Sequence, residues 1–171
     1  MPAHRRGILT AFCCALMAGC VSRTPAPESG VELYAVPPEN VREILFSSPD
    51  RKLFAYRWGQ EGPFQIWTAS KDSGEPERCT GGEPFKKWLE AVSSMRVERS
   101  ASSSEAGAAA GWSDLLIRDY TSLDPIQIRL RIPASEKEPV VADWHGSRVV
   151  VRIDARVLRT ALSGCAQLSL S

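Results

Sequence analysis

From Ile126 to Ile132 apolar and polar positions alternate strictly, which predicts a strand with Ile126, Ile128, Leu130 and Ile132 on one face and Gln127, Arg129 and Arg131 on the other. Pro125 and Pro133 bound it. The period changes at Phe85, where Phe85, Trp88, Leu89, Val92 and Met95 follow the i, i+3, i+4, i+7 spacing of an amphipathic helix. Pro84, just before, suits a first helical turn. Segments 52–58 and 64–69 flank a five-residue loop carrying Gly59, Gly62 and Pro63, and read as a hairpin. Alternation sets Phe54, Tyr56 and Trp58 on one face, and Phe64 and Ile66 on one face of the partner strand.

The remaining elements follow the same reasoning. Residues 41–48 fit a strand or a short helix. Their β-branched and aromatic content, with a Ser-Ser-Pro-Asp turn after them, favours the strand. Residues 114–120, 140–145 and 148–153 read as strands, the last two joined by Gly146 and Ser147 as a two-residue connection. Asp154 is placed to cap a helix through Val157, Leu158, Ala161 and Leu162, which Gly164 ends. The prediction is an α+β domain with a small, mostly antiparallel sheet, in the order β-β-β-α then β-β-β-β-α. It occupies residues 40–171, with a flexible insertion at about 100–111, where Ser, Ala and Gly dominate and no large apolar residue offers an anchor.

The N-terminus has a different character. Arg5 and Arg6 precede an apolar run from Ile8 to Ala18. About 11 residues are too few to span a bilayer as a helix, for which roughly 20 are needed, and the run ends in small residues as a signal peptide does. Leu16, Met17, Ala18, Gly19 and Cys20 resemble the lipobox of bacterial lipoproteins, with Met17 where the pattern most often has Leu. That resemblance implies removal of residues 1–19, a diacylglycerol thioether on Cys20 and a further acyl chain on its amine. Two or more chains make attachment to a membrane stable, where one is marginal. Val21 follows Cys20 where Asp would favour inner-membrane retention, so for a Gram-negative cell the resemblance implies the outer membrane, periplasmic face. Residues 20–39, rich in Pro, Ser and Thr, read as a tether from the acylated cysteine.

Of the five cysteines, Cys13 and Cys14 leave with the signal and Cys20 takes the lipid, which leaves Cys79 and Cys165. In an exported chain these read first as one disulfide, with two independent thiols as the alternative. A bridge closing roughly 85 residues contributes about 4 kcal/mol on chain-entropy grounds. A zinc site would lack a fourth ligand at any usual spacing.

Removal of Arg5 and Arg6 leaves 19 basic against 20 acidic side chains, a balance that argues against a binder of nucleic-acid phosphates. Hydrophobic residues make up 43%, which excludes disorder throughout. The strand order, with Val41, Ile44, Arg57, the strand from Phe64 to Trp67 and the helix at Trp88 and Leu89, resembles half-repeats of an uncharacterised domain of gliding-motility and ABC-transporter auxiliary proteins. This implies an accessory role in the envelope and no chemistry.

Nucleophile elbows, Gly-rich phosphate loops, His-Glu-x-x-His, paired Cys-x-x-Cys and EF-hand spacing are absent from the sequence, and no cofactor or metal ligand set is read from it. His145, the one histidine beyond the signal, stands two residues from Asp143, and on a strand the two share a face. An Asp-oriented His is half of a hydrolase constellation, whose nucleophilic Ser has no recognisable context here. Asp114, Asp119 and Asp124 recur every five residues, which fits turns and surface better than a metal site. Five tryptophans, Trp58, Trp67, Trp88, Trp112 and Trp144, either fill a small core or line a partner surface. Gln127, Arg129 and Arg131 form a short polar stripe that either faces solvent or meets an acidic partner. The function expected is that of a lipid-anchored envelope protein that binds another envelope component. The alternative is a small envelope hydrolase using His145 and Asp143.

Overall fold

A computed structural model describes residues 28–72, 75–106, 111–122 and 124–169. The expected signal peptide, Cys20 and the first part of the tether lie outside the described residues.

Among the described residues nine strands form one antiparallel sheet: β1 (Val41–Ser47), β2 (Arg51–Tyr56), β3 (Gln65–Ser70), β4 (Glu77–Thr80), β5 (Arg96–Ser100), β6 (Trp112–Asp119), β7 (Ile126–Arg131), β8 (Val140–Trp144) and β9 (Ser147–Arg152). Their spatial order is β4-β3-β2-β1-β6-β7-β8-β9-β5. Two four-stranded meanders therefore meet at the β1–β6 pair, where Ile44 lies opposite Ile117 and Leu45 opposite Leu116. Each meander feeds helical structure: α1 (Glu83–Ser93) follows β4, and α3 (Ala155–Thr160) and α4 (Cys165–Leu168) follow β9. The mostly-sheet α+β class is the one the periodicity predicts. The structure adds β4 and β5, so the first meander has four strands, and α1 leads from one edge of the sheet to the other.

One face of the sheet holds the core. The inward row of β7, Ile128 and Leu130, is buried while Gln127 and Arg129 stay exposed, as strict alternation demands. Phe85, Trp88, Leu89 and Val92 of α1 are buried against Ile44, Phe46, Leu115 and their neighbours. The Trp88 ring lies 5.6 Å from Phe85 and 6.1 Å from Phe46. Asp154 caps α3, its carboxylate accepting the Arg156 backbone N–H at 2.8 Å.

The chain departs from its predicted organisation at three places. The expected tether is packed from residue 30 onwards. Gly30 N–H donates to the Val97 carbonyl, Val97 N–H to Val31 and Leu33 N–H to Met95, while Leu33 and Tyr34 are buried. The cause is β5, an edge strand whose free backbone groups take up the passing chain. The expected insertion at 100–111 begins as β5 and a turn of helix, α2 (Ser103–Ala106). Ser102 and Glu105 form a reciprocal cap there, the Ser102 N–H reaching the Glu105 carboxylate at 2.8 Å, and Arg99 grips that carboxylate with two hydrogen bonds of 2.9 and 2.7 Å. The last departure is the β8–β9 connection, which turns on His145 and Gly146 rather than Gly146 and Ser147: both central residues have positive φ, 48° and 76°, and Trp144 pairs with Ser147. That is the mirror-image turn whose twist matches the flanking strands.

Cys79 and Cys165 form a disulfide with Cα atoms 5.7 Å apart. It ties α4 to the β4 edge. Beside it the Glu77 carboxylate accepts the Cys165 N–H at 2.9 Å and the Thr68 hydroxyl at 3.2 Å. The Cys165 N–H first, then the Thr68 hydroxyl, and also the nearby Arg51 charge hold this carboxyl below the usual Glu value. A carboxyl lowered on folding contributes stability that is present above its unfolded pKa, about 4.3, and lost as pH falls through the lowered folded value. Glu77→Gln is therefore expected to flatten the acid limb of stability against pH, read as urea midpoints of the two proteins from neutral pH down to about pH 3.

Candidate interaction face

The helices α1, α3 and α4 pack on the core face; the opposite face is open to solvent across β1, β2 and β3, whereas its Val141 and Val150, on β8 and β9, are buried. Strand register determines what it carries. Trp67 pairs with Phe54, Phe54 with Leu45 and Leu45 with Leu116, so four apolar side chains form one continuous row across β3, β2, β1 and β6. Leu45 is 39% exposed, and Phe54, Trp67 and Leu116 are half-buried. Phe54 and Trp67 rings lie 5.5 Å apart. Tyr56, one step along β2 on the same face, meets Trp58 edge-on at 5.1 Å, and Trp58 is 87% exposed.

Charges border this row. Arg78 stands opposite Trp67, and Lys52 lies two residues from Phe54 on the same face. The Arg42 guanidinium sits 5.8 Å from the centre of the Tyr56 ring. Among the described residues none of these three cations makes an ion pair, whereas the acids of the face are engaged: Glu43 with Arg118 at 3.4 Å and Asp114 with Arg129 at 3.3 Å. Further along, Asp114, Arg129, Asp143 and Arg148 face one another in turn across β6 to β9, and both Arg129 and Arg148 stack over Trp112, at 5.6 and 5.4 Å. The stripe expected at Gln127, Arg129 and Arg131 is therefore interleaved with acids, and Arg129 is not a free cation.

The five tryptophans divide between the two expectations. Trp88 is fully buried and Trp144 packs against the core, while Trp58, Trp67 and Trp112 belong to the solvent face. Alternation identifies which residues share a face; it does not say which face turns inward. In β2 the inward row is Leu53, Ala55 and Arg57, and the aromatic row is outward.

Arg57 is what makes that inversion tolerable. Its guanidinium is buried, and it donates to the carbonyls of Val41 (2.6 Å), Gln60 (2.6 Å), Pro38 (2.9 Å) and Glu39. Phe64 and Tyr120 cover it at 4.8 and 5.8 Å, and the Tyr120 hydroxyl donates to the Arg57 carbonyl at 3.0 Å. Burial pulls its pKa below the ordinary arginine value, while Tyr120 and Glu39 pull it back up. One side chain thus fixes the entry to β1 and the β2–β3 loop, at the end of the face where Trp58 projects. It also borders a groove of about 490 Å³ between that loop and α1, lined among others by Phe64, Phe85 and Leu89.

His145 and Asp143 stand in different surroundings. His145 is exposed at the tip of the β8–β9 turn with its ring 4.7 Å from Trp144, while Asp143 lies between Arg129 and Arg148 in register. Among the described residues no hydrogen bond joins the two or brings a serine hydroxyl to His145. Asp119 accepts the Thr121 N–H and the Ser122 N–H in a tight turn, and Asp124 lies in the following loop. Asp114 is on the sheet face, so the three acids do not converge. No protein-family model matches the chain, and neither a curated protein nor a solved structure matches it.

Proposed function

We propose that this chain is a lipid-anchored envelope protein, held through acyl chains on Cys20 at the periplasmic face of the outer membrane, whose domain binds another envelope component with the solvent face of its sheet. The observation that carries the binding role is the row Trp67, Phe54, Leu45 and Leu116, continuous across four strands and uncovered by any described helix of the chain. Contiguous apolar surface on a folded domain marks interaction sites. The Cys79–Cys165 disulfide suits an oxidising compartment outside the cytosol.

Incorporating a photo-crosslinking phenylalanine analogue at Phe54 in cells tests the reading. An adduct, to protein or to lipid, is expected from Phe54 and none from the same analogue at Lys87, an exposed position on α1 at the helical side. Equal labelling from both sites, or none from Phe54, overturns it.

A further inference from the structure

Resting on that reading of the sheet face, we infer that the component it meets is the anionic surface of the bilayer itself. Trp58 and Tyr56 are amphipathic rings of the kind that settle at the headgroup level of a membrane, and Trp58 stands almost free of the protein at the end of β2. Behind them Phe54, Leu45 and Trp67 continue the apolar surface. Arg42, Lys52 and Arg78 border it with no ion pair among the described residues, while Glu43 and Asp114 are already neutralised by Arg118 and Arg129. Asp119 shares a pocket with Arg42, Glu43 and Arg118 and balances Arg42, so the free charge of this patch is that of Lys52 and Arg78, positive although the mature chain as a whole is balanced.

Magnitude favours a bilayer over a protein occupant. Each cation near an anionic leaflet strengthens binding by about fivefold, so Lys52 and Arg78 together amount to roughly twenty-five-fold. That preference is measurable for the untethered domain at millimolar lipid, and a tether strengthens it further. Residues 21–27 separate Cys20 from Glu28, and eight extended steps reach at most about 29 Å. The chain then docks on the β5 edge at Gly30. With the domain held that close, a weak preference of one face is enough to set its orientation.

The test uses the oxidised chain from Val21 to Ser171, which contains every described residue and so the whole sheet, its helices and its disulfide, but no acyl chain. Its binding to phosphatidylcholine vesicles with and without phosphatidylglycerol is measured by sedimentation, with tryptophan emission as a second readout. The expected result is binding that requires phosphatidylglycerol, with a blue shift that Trp58→Ser removes. Lys52→Glu with Arg78→Glu is expected to weaken binding at least tenfold, and Lys87→Glu on the helical side to leave it unchanged; circular dichroism and thiol titration confirm that each variant is folded and bridged. No binding, equal binding to both vesicles, or an equal loss with Lys87→Glu overturns the inference. If vesicle binding fails while Phe54 still crosslinks to an acidic protein in cells, the face remains an interaction site and only the bilayer assignment falls. If both fail, both readings fall.

Discussion

Replacing Arg57 by methionine is expected to lower the free energy of unfolding by about 3–5 kcal/mol, the largest effect of any single substitution considered. The methionine stem fits between Phe64 and Tyr120, so the loss does not come from a cavity. It comes from the carbonyls of Pro38, Glu39, Val41 and Gln60, which lose their common donor, and an unsatisfied buried polar group costs on the order of 1–3 kcal/mol. The Pro38 carbonyl keeps the Val41 N–H, and the partly buried carbonyls of Glu39 and Gln60 regain water, which keeps the sum below the full penalty of four. Arg57→Lys is expected to recover little, because a point charge on a flexible stem cannot serve carbonyls that converge on a planar fork. Urea denaturation of the oxidised proteins at neutral pH measures both. A loss under about 1 kcal/mol for the methionine variant would show that water replaces the guanidinium at small cost.

Opening the Cys79–Cys165 bridge is the second large effect. The cysteines are 86 residues apart in sequence, and releasing a loop of that size from the unfolded chain is expected to cost about 4 kcal/mol. The contact it secures is short: α4 is four residues long and packs against β3 and β4 at the sheet edge. Without it the Glu77 carboxylate on the Cys165 N–H, the Gly82 N–H on the Leu168 carbonyl and the burial of Leu168 are left to hold α4. Comparing urea midpoints before and after reduction, with alkylation to confirm that the native protein has no free thiol, measures the effect. A free thiol in the native protein removes the bridge from the account, and a shift equivalent to less than about 1 kcal/mol would mean that the reduced chain keeps its loop closed by other contacts.

Some of this was legible in the chain and some was not, for reasons that differ from element to element. The alternation in β7 and the helical spacing in α1 were readable because burial on one face demands them, and the Asp154 cap was readable because it is a local interaction. The strands β4 and β5 were not. Residues 77–80 and 96–100 contain one strongly apolar residue between them, Val97, besides Cys79, because edge strands need little apolar content and are held by backbone pairing. The cap formed by Ser102 and Glu105 did leave a signal, the Ser-x-x-Glu spacing, inside a stretch whose low complexity argued for a loop.

The candidate face depended on a question that periodicity cannot answer. Phe54, Tyr56 and Trp58 share a face on any reading, but their turning outward rests on Arg57 turning inward, and its carbonyl partners come from residues 38–41 and from the loop at Gln60. Such long-range polar satisfaction is not visible along a single strand. The expected tether stops at Gly30 for a related reason: proline and glycine content describes the chain's stiffness, whereas the backbone groups left open on β5 decide where residues 30–34 go.

The claim on which the functional account most depends is that the domain works from a lipid anchor. Its direct test is the intact mass, with peptide sequencing, of the full-length gene product extracted from membranes in detergent. The account predicts a chain that starts at Cys20 and carries a diacylglycerol thioether and an amide-linked acyl chain. A mature chain that starts elsewhere, or one whose Cys20 is an unmodified thiol, would contradict it.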